Sequence, residues 1–91
     1  MMSFDVMVEV RLRPGIADPP AATIARVLPT MGFDEISAVS MGKAIRLRIT
    51  APDEAAARAR VEDLTRRLLT NPVMEDALIS IQAVSSGGSD A

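Results

Sequence analysis

Cysteine, histidine, tryptophan and tyrosine are all missing from this 91-residue chain. Without cysteine there is no disulfide, no thiolate nucleophile and no sulfur ligand for a metal. Without histidine the chain lacks the commonest metal ligand and the side chain most often used as a general base near neutral pH. Carboxylates, Lys43, serines and threonines remain, but in no recognisable nucleophile or metal-binding pattern. No active site is therefore expected in this chain alone. Aromatic residues are reduced to Phe4 and Phe33, so a 48% apolar content must be supplied by Val, Ile, Leu, Met and Ala. Such a core is thin. In one small domain, where burial on folding is limited, association with a second chain is the usual remedy.

Excess positive charge is also missing. Ten basic and twelve acidic residues give a net charge of −2, which argues against a protein that gathers phosphates by bulk electrostatics, and nucleic acid is not an expected partner. No apolar run is long enough to span a bilayer, and the N-terminus enters strand-like alternation without a secretory pattern. The expectation is a cytoplasmic protein that does not contact membrane.

What is present reads in order along the chain. Phe4, Val6, Val8, Val10 and Leu12 alternate with Asp5, Met7, Glu9 and Arg11, the period of a strand with one covered face. Pro14-Gly15 suits the centre of a type II turn. Asp18 can cap a helix whose first position is Pro19. That helix is expected over 19–31, burying Ile24, Val27, Leu28 and Met31 and ending at Gly32. Pro29 conflicts with a regular helix there, because it removes the bond to the Ala25 carbonyl and should kink or shorten the last turn.

Residues 36–41 read as a second strand, Gly42 as a break, and 44–51 as a third strand with Ile45, Leu47 and Ile49 inward and Arg46 and Arg48 outward. Pro52-Asp53-Glu54 opens a second helix with acids at its positive end. Its inward stripe is expected at Ala57, Val61, Leu64 and Leu68, while Glu54 with Arg58, Glu62 with Arg66 and Asp63 with Arg67 stand acid before base at i,i+4. Pro72 pushes Asn71 out of the helical region, so the helix should stop at about Thr70. A last strand over 77–84 follows, with Ile79 and Ile81 on one face. Residues 1–84 then form one domain, and the polar, glycine-rich 85–91 is expected to be a disordered tail. The order is βαββαβ, which implies an α+β domain with an antiparallel sheet and two helices on one face.

Three motifs are candidates for function. Asn71-Pro72 with Glu75-Asp76 is either a partner contact or a well-specified turn, since Asn and Pro form turns for backbone reasons. Gly42-Lys43 invites a phosphate reading, but a phosphate-cradling loop opens into a helix and here a strand follows. A bend between strands explains it better. Arg11, Arg13, Arg46 and Arg48 would line one outer face if the first and third strands are neighbours. RNA-binding sheets stack bases on exposed aromatics, which this chain lacks, so solvated charge or contact with an acidic partner surface remains.

Leu68-Leu69-Thr70-Asn71-Pro72-Val73-Met74-Glu75-Asp76, read with Leu12-Arg13-Pro14-Gly15-Ile16-Ala17-Asp18-Pro19, Met31-Gly32-Phe33-Asp34-Glu35-Ile36 and Gly42-Lys43, resembles PurS, the small subunit of phosphoribosylformylglycinamidine (FGAM) synthase. The resemblance spans 6–81. It implies a sheet-mediated dimer, with the second and third strands able to serve different sheets. It also implies an accessory ligase subunit of de novo purine biosynthesis, which bridges a glutaminase subunit and a large synthetase subunit and assists ammonia transfer. ATP and Mg would belong to the synthetase, with no cofactor or metal in this chain. Arg13, Pro14, Gly15, Asp18, Gly42, Lys43, Asn71, Pro72, Glu75 and Asp76 become candidate interface residues. Ala44 and Ala77 stand where PurS sequences often carry tyrosine, and Leu78 and Val84 where outward positions are usually charged. The alternative from topology is a small dimeric regulatory domain that binds an amino-acid effector at its interface.

Overall fold

The structure is a computed structural model and describes residues 1–84; the tail expected over 85–91 lies outside the described residues. Strand β1 (Met2–Leu12) leads to helix α1 (Pro19–Val27) and a 3₁₀ turn (Leu28–Met31). Strand β2 (Gly42–Ala51), helix α2 (Glu54–Leu64), a π turn (Thr65–Leu69) and strand β3 (Glu75–Ala83) complete the chain. The class is α+β, with a three-stranded antiparallel sheet in the order β2-β1-β3.

The sheet places β1 in the centre, and its alternation becomes the core. Phe4, Val6, Val8 and Val10 are buried together with Ala51 of β2 and Ala57 and Val61 of α2. Ile45, Leu47, Ile49, Ala77, Ile79 and Ile81 pack against this cluster from the two edge strands and are half-buried. Both helix starts follow their capping residues. The Asp18 carboxylate accepts from the Ala21 amide, and Asp53 accepts from the Ala56 amide at 2.8 Å.

Several expectations are corrected. The strand expected over 36–41 does not form, so the order is βαβαβ. Ala38 stands at φ +58, which breaks an extended run, and the Ile36 amide turns back to the Phe33 carbonyl at 3.3 Å. With β1 flanked on both sides by β2 and β3, any fourth strand would need the free edge of β2 or β3. Gly42, read as a break, instead opens β2, paired with Arg11.

The stripe of α1 is not covered. Ala21 is its single buried residue, while Ile24, Val27 and Met31 are 43%, 44% and 65% exposed. Pro29 sits in the 3₁₀ turn, where the α-helix has already ended, so the missing amide costs no α-helical bond.

The inward stripe of the second helix departs from expectation at its end. Ala57, Val61 and Thr65 are buried and Leu69 packs on the core, whereas Leu68 is 72% exposed. The π turn causes this. Its wider turn keeps i,i+4 positions on one line, and the Thr70 amide reaches back five residues to the Thr65 carbonyl at 3.0 Å. Asp63, finally, holds both Arg66 and Arg67 at 3.2 Å, so Arg66 turns to Asp63 rather than to Glu62.

The molecule is elongated, 52 × 32 × 16 Å, with a radius of gyration of 17.2 Å. A compact chain of this length would have about 12 Å. Surface that a compact domain would bury is thus left open.

Candidate functional site at one end of the sheet

Register brings the three sequence motifs together. Arg11 pairs with Gly42 on one side and with Asp76 on the other, and Leu12 pairs with Glu75. The end of β1 therefore lies between the starts of β2 and β3. The turn after β1 is held by the Ile16 amide on the Arg13 carbonyl at 3.2 Å, with Gly15 at φ +87, the positive value that a type II turn requires at that position. Arg13 then ties this turn twice to the chain where it enters β3. Its amide donates to the Met74 carbonyl at 2.8 Å, and its Nε stands 3.1 Å from Asp76 Oδ1.

Asp18 joins the other flank. One carboxylate oxygen accepts the Ala21 amide at 3.3 Å and the second accepts the Met41 amide at 3.0 Å, so a single side chain fixes the start of α1 and the entry to β2. Gly42 is required next to it. A Cβ there would lie 2.5 Å from the Val10 carbonyl oxygen, closer than any side chain can approach. Lys43 pairs with Val10 and is exposed.

Across the end, the turn before β3 is closed by its own groups. The Met74 and Glu75 amides donate to the Asn71 carbonyl at 3.0 and 2.8 Å. Asn71 Oδ1 accepts the Val73 amide at 3.0 Å, and Glu75 Oε1 accepts the Asn71 amide at 2.8 Å. Pro72, Val73 and Met74 are left at the tip, with Val73 78% exposed.

The outer sheet face carries the arginine stripe in modified form. Arg48 reaches Asp5 across the strands at 2.8 Å, and Arg11 reaches Glu9 along its own strand at 2.8 Å. The Arg11 hydrogen bond, with its charge, holds the Glu9 carboxyl below its ordinary range, and Glu9 raises Arg11 in turn. Arg13 lies past the strand end rather than on the stripe. Between Met7, Arg46, Arg48, Ser80 and Gln82 the face forms a shallow open concavity. Sequence reasoning missed this feature, which appears only when the register places Met7 beside Arg46 and Ser80.

Chemically, the carboxylates at the sheet end are engaged in a cap, an ion pair and a turn closure. Among the described residues, no group of three or more Asp or Glu could hold a metal ion. Polar groups bound in structural roles, beside apolar side chains left in solvent, define a small α+β association domain.

Comparison with known proteins places it within that class. The PurS family, described as phosphoribosylformylglycinamidine (FGAM) synthase, matches residues 5–83. The FGAM synthase subunit PurS of Methanothermobacter thermautotrophicus is 38% identical over 80 residues, 88% of this chain and 94% of that protein. The PurS subunit of a Synechocystis species is 35% identical over 82 residues, 90% of this chain and 82% of that one. Methanocaldococcus jannaschii PurS, one of the subunits of formylglycinamide ribonucleotide amidotransferase in the purine biosynthetic pathway, superimposes with a TM-score of 0.80 at 29% identity, covering 90% of this chain and 99% of that one. A chain of the PurLQS structure from Thermotoga maritima gives a TM-score of 0.79 at 28% identity, covering 92% and 100%. The chain belongs to the PurS family of FGAM synthase subunits.

Proposed function

We propose that this chain acts as the accessory subunit of an FGAM synthase complex in de novo purine biosynthesis. It bridges a glutaminase subunit and a large synthetase subunit and assists transfer of ammonia between them, in the cytoplasm. Glutamine hydrolysis and phosphate activation, with ATP and Mg, belong to those partners. None of the described helices is long and apolar enough to cross a membrane. The observation that carries the assembly reading is the uncovered apolar surface: Ile24, Val27, Met31, Phe33, Ile36 and Met41 are between 41 and 65% exposed in a chain whose core is small. So many large apolar side chains left open within one stretch of chain, 24–41, support an interaction surface. A second copy of the chain covers it in the dimer, and the sheet end with Arg13, Pro14, Gly15, Asp18, Gly42, Lys43, Asn71, Pro72, Glu75 and Asp76 serves as a partner interface.

Reconstitution tests the reading. Purified glutaminase and synthetase subunits are assayed for amidine formation with and without this chain, on glutamine and separately on a high concentration of ammonium. Dependence on the chain should be strong with glutamine and much weaker with ammonium. Equal rates on glutamine with and without it would end the accessory-subunit reading.

A further inference from the structure

Methionine commonly fills irregular gaps in an apolar core, yet this chain places none there. All six methionines stand outside the core cluster, between 38 and 89% exposed. With cysteine, histidine, tryptophan and tyrosine missing, their thioethers are the side chains of this protein most open to oxidation. Two of them lie in the uncovered apolar stretch 24–41. Met31 closes the 3₁₀ turn after α1 and is 65% exposed. Met41 is 43% exposed, and its amide is held at 3.0 Å by Asp18, the cap of α1, so both side chains are presented from backbone anchored to that helix.

We propose that Met31 and Met41 form a redox-sensitive modification site, at which oxidation by hydrogen peroxide releases one copy of this chain from another. The proposal rests on the dimer reading above. In the reaction a sulfur lone pair attacks one peroxide oxygen and the O–O bond breaks. The sulfur is oxidised to a sulfoxide, the departing hydroxide takes the proton left on the transferred oxygen, and the peroxide is reduced to water. A flexible apolar side chain thereby becomes a polar one. Re-forming the contact then buries the new acceptor oxygen without a partner.

Two features of the fold separate this effect from damage. No methionine supports the core, so oxidation leaves the fold of a single copy intact. Association also competes with the reaction. A second copy shields both sulfurs and the free chain exposes them, so the sulfoxides accumulate on dissociated chains and keep them dissociated. Met74, at the tip before β3, lies outside 24–41 and provides an internal reference.

The test treats the full chain with hydrogen peroxide at a series of protein concentrations. Peptide mass spectrometry locates the sulfoxides, sedimentation reads self-association and circular dichroism reads the fold. Dilution should speed oxidation of Met31 and Met41 relative to Met74. Oxidation should raise the dissociation constant of the dimer about tenfold or more while the chain still melts cooperatively, and methionine sulfoxide reductases acting on both epimers should restore association. A Met31→Leu, Met41→Leu double variant, which keeps volume and apolar character, should stay associated after the same treatment although Met74 is oxidised. Undiminished association of the parent carrying both sulfoxides would overturn the proposal. So would equal dissociation of the oxidised double variant, loss of the cooperative melt in the oxidised parent, or rates at Met31 and Met41 that do not depend on protein concentration. Failure of the untreated parent to self-associate would overturn the dimer reading itself.

Discussion

Asn71 and Glu75 hold each other by two hydrogen bonds in opposite directions. The Glu75 amide donates to the Asn71 carbonyl at 2.8 Å, and the Glu75 carboxylate accepts the Asn71 amide at 2.8 Å. The reciprocal arrangement resembles a capping box, in which backbone and side chain satisfy each other across one turn. It closes the reversal from α2 into β3 without help from the core.

Glu75→Ala should therefore lower stability, because it leaves the Asn71 amide without its charged acceptor. A hydrogen bond of this kind at an exposed site contributes about 1 kcal/mol, and a change of that size moves the melting temperature by about 4–8 °C in a domain this small. Arg58→Ala, on a helix flank, should move it much less. Equal melting of the two variants would remove the clasp from the account.

Asp18→Ala should loosen two places at once. The N-cap of α1 and the Met41 amide both lose their acceptor, and loss of a cap alone costs about 1 kcal/mol. Hydrogen exchange should speed up at the Ala21 and Met41 amides together. Acceleration at Ala21 alone would show that the bond to Met41 is dispensable.

Gly42→Ala should destabilise the entry to β2, because the new methyl group meets the Val10 carbonyl oxygen at 2.5 Å. Backbone displacement of this kind costs about 1–3 kcal/mol. Thermal melts of Gly42→Ala and of Lys43→Ala separate the two residues. Only the glycine variant should melt substantially lower.

Replacing Ile24 or Val27 by Asp should weaken self-association while leaving the fold of a single copy intact, since both side chains stand outside the core cluster. Sedimentation across a concentration series reads the first effect and circular dichroism the second. Unchanged association would mean that α1 is not part of the contact.

Glu9 should titrate below a normal glutamate, because Arg11 favours its ionised form. A depressed folded pKa means that the pair stabilises the protein above the unfolded value and loses that contribution as pH falls through the folded one. At this exposed site the effect on stability is small. NMR titration of Arg11→Ala should move Glu9 upward toward its ordinary value, and an unchanged Glu9 would contradict the assignment.

Local sequence was enough wherever a signal acts within a few residues. The alternation of Phe4, Val6, Val8 and Val10 specified a half-covered strand, Asp18 and Asp53 specified helix starts, and Asn71-Pro72 ended the second helix. The order of short motifs over 6–81 also pointed to the family whose match covers 5–83. Tertiary structure alone decided which apolar faces are covered. Periodicity marks an apolar stripe on α1 but not what packs on it, so Ile24 and Val27 read like core and emerge in solvent. Residues 36–41 have strand-like composition, yet a strand needs a neighbour's hydrogen-bonding edge, and β1 already has two partners. The choice of Leu69 over Leu68 hung on one five-residue hydrogen bond that no residue preference announces. Convergence of Arg13, Asp18, Gly42 and Asp76 likewise required the antiparallel register, because only strand pairing brings together positions so far apart in the chain.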